Sequence, residues 1–319
     1  MKTRTLSQLM GAVALATLAA SPALAQDCEP NARWGADDEL GAANHVDSEQ
    51  VLAAVQLVKQ GETHPLGIVV DSTTPAFPPR TLAVQIVQPG QQAGKTLDSF
   101  GYPASYNDDI AQLWFGIGPQ IDGLSHYGMD NLFYNCNNAA DFAPITGVTK
   151  LGIENIPPLV GRGVLLDMAK YRGKDHLEGG ESFNAEDVQT AAEQQGVEIR
   201  EGDVVLFHTG WIQHVLEADP ATFGSTEPGI TVDAAEWLAG QNVMAVGADT
   251  WGLEAVPPAE GDGAFYGHVV LLRDNGIYIL ENMNTGRLAE EEVNEFMFTL
   301  GQARVRGAVQ MIINPVAMW

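Results

Sequence analysis

Apolar and polar positions along the chain alternate between short apolar runs and amphipathic stretches. Gly163-Val-Leu-Leu-Asp167, Asp203-Val-Val-Leu-Phe-His208 and Val243 to Asp249 are apolar runs bounded by turn formers, which predicts buried strands. Ile277 to Glu281 predicts a fourth. Between them the period changes. Asn184 caps a predicted helix carrying Val188, Ala191 and Ala192, and Gly196 stops it. A second helix begins at Thr231 and runs through Trp237 and Leu238, and a third runs from Ala264 to Arg273 before Asn275-Gly276. Earlier, Asp47-Ser48-Glu49-Gln50 predicts a helix start, with Val51, Val55 and Val58 on one face and Gly61 as its end. Pro75, Pro78 and Pro79 mark an irregular loop. Strands alternating with helices predict a layered α/β fold. No repeat, low-complexity tract or long polar linker interrupts the pattern, so one domain over residues 26–319 is expected.

The first 25 residues stand apart from that pattern. Lys2 and Arg4 form a positive start, Leu9 to Ala20 is apolar and small, Ser21-Pro22 breaks the run, and Ala23-Leu24-Ala25 offers a small-x-small cleavage site. That order of parts reads as an export signal leaving Gln26 as the new N-terminus, in a bacterial periplasm or secreted. No later stretch reaches the roughly 18 uninterrupted apolar residues of a membrane span. Cys28 lacks a lipobox-like run before it, so no lipid anchor is expected.

Charge narrows the partners. Against 16 Lys and Arg stand 41 Asp and Glu, for a net charge of −25, which repels nucleic acid and anionic lipid surfaces. No nucleic-acid or membrane partner is expected, only a small-molecule substrate. The two cysteines, Cys28 and Cys136, would meet an oxidising compartment, where a disulfide between them and two buried free thiols are both compatible with the sequence.

The densest polar cluster is Gln120-Ile121-Asp122-Gly123-Leu124-Ser125-His126. In an extended segment Gln120 and Asp122 share a face, and the turn at Gly123 brings His126 back toward Asp122. An amide oxygen, a carboxylate and an imidazole suit a divalent ion. A buried Asp–His pair without metal accounts for the cluster equally well. His268, on the predicted third helix, and Glu281, at a strand end, are further candidate ligands by type, although such residues are often plain surface groups. Aromatic residues nearby, among them Trp114, Tyr127 and Trp251, are either pocket walls or core, and His208 at a strand end either borders the pocket or packs. His45, His64, His176 and His214 read as surface or structural. Gly123-Leu-Ser-His-Tyr-Gly128 misses the nucleophile-elbow spacing by one residue, and no dinucleotide or phosphate-binding glycine motif is present.

Several stretches together resemble the cyclase family of metal-dependent hydrolases, which includes kynurenine formamidases and isatin hydrolases. They are Arg33-Trp-Gly-Ala-Asp-Asp-Glu-Leu-Gly-Ala-Ala-Asn44, Leu159 to Asp167, Phe207-His-Thr-Gly-Trp211 and Gly247-Ala-Asp-Thr250, in order, with the match ending near Asn314-Pro315. The family signature is His-x-Gly-Thr-His-x-Asp-x-x-x-His, followed later by a His and a Glu. Asp122 and His126 fall on its aspartate and last histidine, and His268 and Glu281 on the later pair. Gly116 stands at the first histidine, Gln120 at the second and Pro119 at the threonine, while Gly118 is kept. Larger members similar to this chain carry glutamine at the second position. The resemblance implies a swivelling β/β/α fold, a homo-oligomer, and a divalent ion, Mn2+ or Zn2+, held by Gln120, Asp122, His268 and Glu281. It implies hydrolysis of a small amide, cyclic amide or lactone with His126 as general base. Loss of two signature histidines leaves one alternative, a periplasmic small-molecule-binding protein on a catalytically degraded scaffold.

Overall fold

The computed structural model describes residues 28–31, 33–87 and 95–319. The expected export signal, residues 1–25, lies outside them. Nine strands form one mixed sheet: β1 (Thr63–Pro65), β2 (Gln120–Asp122), β3 (Leu159–Asp167), β4 (Val204–His208), β5 (Ala245–Ala248), β6 (Tyr278–Glu281), β7 (Glu295–Leu300), β8 (Gln310–Ile312) and β9 (Val316–Met318). Their spatial order is β1-β9-β7-β3-β4-β5-β6-β2-β8.

The four middle strands, β3 to β6, are mutually parallel. Every residue of β4, β5 and β6 is buried. Parallel strands covered on both faces read as continuous apolar runs, which is why these three stood out in the sequence. On one flank β2 adds antiparallel to β6 and β8 antiparallel to β2, and on the other β7, β9 and β1 extend the sheet, each antiparallel to its neighbour. The whole forms one domain.

Helices cover the sheet. α1 (Ser48–Val55) starts where Asp47 accepts the Gln50 N–H, and it ends earlier than the sequence pattern suggests. α2 (Ala185–Gln195) has a capping box between Asn184 and Asp187 and stops at Gly196, which has φ of 70°. Its buried face is Val188, Ala191 and Ala192, the residues the periodicity picked out. α3 (Val232–Gly240) buries Ala234, Ala235, Leu238 and Ala239.

The expected helix from Ala264 is split. Phe265 sits in the left-handed region at φ 57°, so α4 begins only at Tyr266, runs to His268 and continues as a wide π-type turn over Val269–Asp274. Leu271 and Leu272 of that turn are fully buried in the main core. Among the described residues no helix is long and apolar enough to cross a membrane.

Away from the sheet, strands Leu82–Val87 and Asp108–Leu113 pair as an exposed antiparallel hairpin. Cys28 and Cys136 are joined by a disulfide that closes a 108-residue separation. The bridge ties the start of the described chain to the loop following the Gln120 cluster.

Candidate metal centre

Sheet register assembles the site. Gln120 lies directly opposite Glu281, and Asp122 directly opposite Gln310. Residues opposite each other in an antiparallel pair share a face, as do residues two apart on one strand, so all four side chains converge on the same side of the sheet. Gln120, Asp122 and Glu281 are 1%, 0% and 3% exposed. His268 reaches them from α4. Its Nε2 lies 3.4 Å from Glu281 Oε1 and 3.7 Å from Asp122 Oδ2.

The hydrogen bonds leave a defined remainder. Gln120 Nε2 donates to Glu281 Oε2 at 2.6 Å and to Asp122 Oδ1 at 3.3 Å. Gln310 Nε2 donates to Asp122 Oδ1 at 2.6 Å. Gln120 Oε1 and Asp122 Oδ2 then remain buried with no partner. Two orphaned buried oxygens cost on the order of 1–3 kcal/mol each unless something satisfies them. Asp122, His268 and Glu281 each offer one ligand atom, and these atoms lie within 4.8 Å of one another. The donor set therefore fits a divalent cation.

Glu254 prepares the histidine. It accepts from the backbone N–H of Gly267 and of His268, the orphan donors at the start of α4, and from His268 Nδ1 at 2.7 Å. Holding the Nδ1 proton aims Nε2 at the Asp122 and Glu281 carboxylates, the usual outer support of a metal-bound imidazole. A Cβ at Gly267 would lie 2.7 Å from the Glu254 carboxyl carbon, so a glycine there leaves the space the support needs. Leu253, Phe265 and Asn282, next to Glu254, α4 and Glu281, all hold φ between 56° and 65°. Left-handed backbone at non-glycine residues costs roughly 1–2 kcal/mol each, and here it clusters around the site.

Charges shape the metal-free state. Burial pulls His268 down, but its hydrogen bonds to Glu254 and Glu281, and their charges, outweigh burial and carry it to about 10. Burial, then the neighbouring Asp122, pushes Glu281 up to about 7. Glu227, fully buried and near Glu281, is raised well above the ordinary carboxylate range by burial first. His126 is lowered by burial, against the pull of Asp122. Its Nε2 lies 3.8 Å from Asp122 Oδ2 and 3.3 Å from Gln310 Nε2.

The cluster floors a cavity of about 420 Å³ that His126, Tyr127, Trp251 and Phe265 line. Trp251 and Phe265 are 6.0 Å apart at their centroids, and Phe77 closes over both. Two of the candidate pocket residues lie elsewhere. Trp114 is 51% exposed at the foot of the hairpin and is not among the lining residues. His208 turns Nδ1 to Thr285 Oγ1 at 2.8 Å and borders a separate cavity with His64 and His214. Leu206 and Leu280 lie level across Gly247; His208, two residues past Leu206, keeps their face of the sheet, while Glu281, one past Leu280, takes the other. Ser125 spends its hydroxyl on the Leu151 carbonyl at 2.9 Å, so it offers no nucleophile.

Glu254, Gln310, Arg80 and Phe77 are site residues that sequence reading did not single out. Only Phe77 and Arg80 carried a signal, their place in the proline-marked loop.

An α/β domain with a buried, oxygen-rich, single-imidazole candidate cation site is the class this geometry defines. A family model described as "Putative cyclase" matches residues 63–255. A solved structure described as a novel cyclase aligns at 31% identity with a TM-score of 0.81, covering 90% of this chain and 98% of that one. The chain belongs to this cyclase family. Isatin hydrolase A from Ralstonia solanacearum shares the fold, at 19% identity, TM-score 0.61, and 85% and 97% coverage. So does an isatin hydrolase bound to the product analogue thioisatinate, at 19% identity, TM-score 0.58, and 85% and 98% coverage. Among curated proteins, none matches the chain.

Proposed function

We propose that the chain is a metal-dependent hydrolase of a small amide, cyclic amide or lactone, with His126 as general base. The observation that carries this reading is the pair of unpaired buried oxygens, Gln120 Oε1 and Asp122 Oδ2, beside His268 and Glu281. Those four residues would hold the ion. One imidazole among oxygen donors favours Mn2+ over Zn2+. A bound divalent ion supplies an acidified water and a positive charge facing the scissile carbonyl oxygen.

The chain's own residues do the rest. Glu254 holds His268 in one tautomer, and Gln310 holds Asp122 in one rotamer. His126, kept neutral by burial, takes the proton of the attacking water and returns it to the leaving nitrogen or oxygen. Tyr127, Trp251 and Phe265 give a flat substrate apolar walls. The isatin hydrolase neighbours support a cyclic amide as one member of the substrate class.

Export to the periplasm is part of the proposal, supported by the first 25 residues and by a disulfide suited to an oxidising compartment. A homo-oligomer is supported by the hairpin, where Val84, Ile86, Ile110 and Trp114 are all more than half exposed.

The test is metal analysis of purified protein followed by an amide and lactone panel. Turnover should vanish on chelation and return with Mn2+ or Zn2+, and Asp122→Ala should lose bound metal and activity together. Full activity in that variant refutes the site. Gly116 and Gln120, in place of two signature histidines, favour the binding-protein reading. Ligand-induced stabilisation without turnover under either metal would select it.

A further inference from the structure

Gly116, which has no side chain, leaves room that an arginine occupies. A Cβ at this position would lie 2.6 Å from Gln310 Oε1 and 2.8 Å from Arg80 Nη1. The room beside the first signature position is thus filled by a guanidinium and an amide from distant parts of the chain. Gln310 is spent on Asp122. Arg80 is not spent in this way. It donates one hydrogen bond, from Nη1 to the Gly116 carbonyl at 2.6 Å, and it lines the cavity above the metal cluster.

A guanidinium has five N–H donors, and no carboxylate stands within ion-pair distance of this one among the described residues. The nearby carboxylates are turned to imidazoles and amides instead. Arg80 is also the only arginine or lysine among the described residues that line the cavity. In a protein of net charge −25, an anion is repelled at long range and needs such a local cation to be held. Phe77, three residues earlier on the same loop, lies 5.8 Å from Trp251 between ring centroids. One loop therefore supplies both an aromatic wall and a charge.

We propose that Arg80 is the specificity-determining residue of this cavity and that it selects substrates carrying a carboxylate or similar anionic group on a flat apolar body. The planar fork of arginine matches a carboxylate with two parallel hydrogen bonds. The proposal rests on reading the cavity as the substrate site of the hydrolase and names the substrate class further.

The experiment compares two probes of nearly equal shape, benzenesulfonate and the neutral methyl phenyl sulfone, by calorimetry. The sulfonate is chosen because it is a poor metal ligand. Wild type should bind the sulfonate at least tenfold more tightly, with the protein metal-loaded and again after chelation. Arg80→Met should erase the preference. Arg80→Lys should keep only a few-fold preference, because a point charge replaces the fork, and it also serves if Arg80→Met does not fold. Equal affinities in wild type, no binding of either probe, or a preference that survives both variants overturns the proposal. Absence of metal-dependent turnover is a separate result, since the sulfonate preference is read without catalysis.

Discussion

Raising the pH is the perturbation that reads the ligand set most directly. In the metal-free protein His268 titrates at about 10, because Glu254 and Glu281 outweigh burial, and Glu281 titrates at about 7, because burial and Asp122 push it up. A cation needs the His268 Nε2 lone pair free and Glu281 ionised, so binding expels a proton from each wherever that proton is present. Below the Glu281 value two protons leave, and between the two values one leaves. The sign is fixed: affinity rises with pH up to the His268 value. Between about pH 6 and about pH 8, His268 contributes roughly two decades and Glu281 roughly one, a thousandfold gain or about 4 kcal/mol. Above that interval the gain is about tenfold per pH unit. Competition with a chromophoric chelator, corrected for the chelator's own protonation, measures the slope. Calorimetry in buffers of different ionisation heat counts the protons, roughly one and a half per ion near pH 7. A metal affinity that changes less than about tenfold over the interval, with no proton release, would refute His268 and Glu281 as ligands.

His126→Gln at saturating metal should lower kcat by about 10²–10⁴-fold while metal content by mass spectrometry stays near wild type. Loss of the metal in that variant would make His126 a ligand instead. The wild-type rate, also at saturating metal, should fall on the acid side as His126 takes up a proton, with a midpoint below the ordinary histidine value because burial depresses it; a midpoint above that value contradicts the assignment. Replacing Cys28 and Cys136 with serine opens a 108-residue loop, which costs about 5 kcal/mol in the chain-entropy model and roughly 10 °C of Tm by calorimetry. An unchanged Tm would show that the bridge does not constrain the unfolded chain.

The elements that the sequence made legible are those whose signals are local. Asn184 and Gly196 bracket α2, and β4, β5 and β6 are buried throughout and apolar except where β4 ends in His208 and β6 in Glu281, because both faces are covered. The strand expected over 163–167 begins four residues earlier, at Leu159, where glycines at 161 and 163 interrupt the apolar run. Gly163 is required by packing, since a Cβ there would meet Phe296 of β7 at 2.2 Å. Nothing near residue 163 announces that neighbour. The four expected ligands, picked by type and family pattern, come together in the structure, but the residues that brace them could not be read from the sequence. Glu254 is an isolated carboxylate between Leu253 and Ala255 until α4 folds onto it. Gln310 acquires its role only through register with Asp122. His208 borders another opening for a similar reason: its motif is distinctive, but the register between strands, which sets the face it points from, places it on the side of the sheet opposite Glu281.

Strand β2 has a consequence for biogenesis. It is three residues long, and both its sheet neighbours lie far ahead in the chain: the Gln120–Glu281 bond spans 161 residues and the Gln310–Asp122 bond spans 188. A polypeptide emerging N-terminus first must therefore hold Gln120 and Asp122 unpaired until nearly all of it has been delivered. An ion held by the proposed ligands would be captured at the last stage of folding, from whatever pool surrounds the finished chain rather than the nascent one. Removing residues 310–319 would take away strands β8 and β9 and, with Gln310, the brace on Asp122, while leaving all four proposed ligands in the chain.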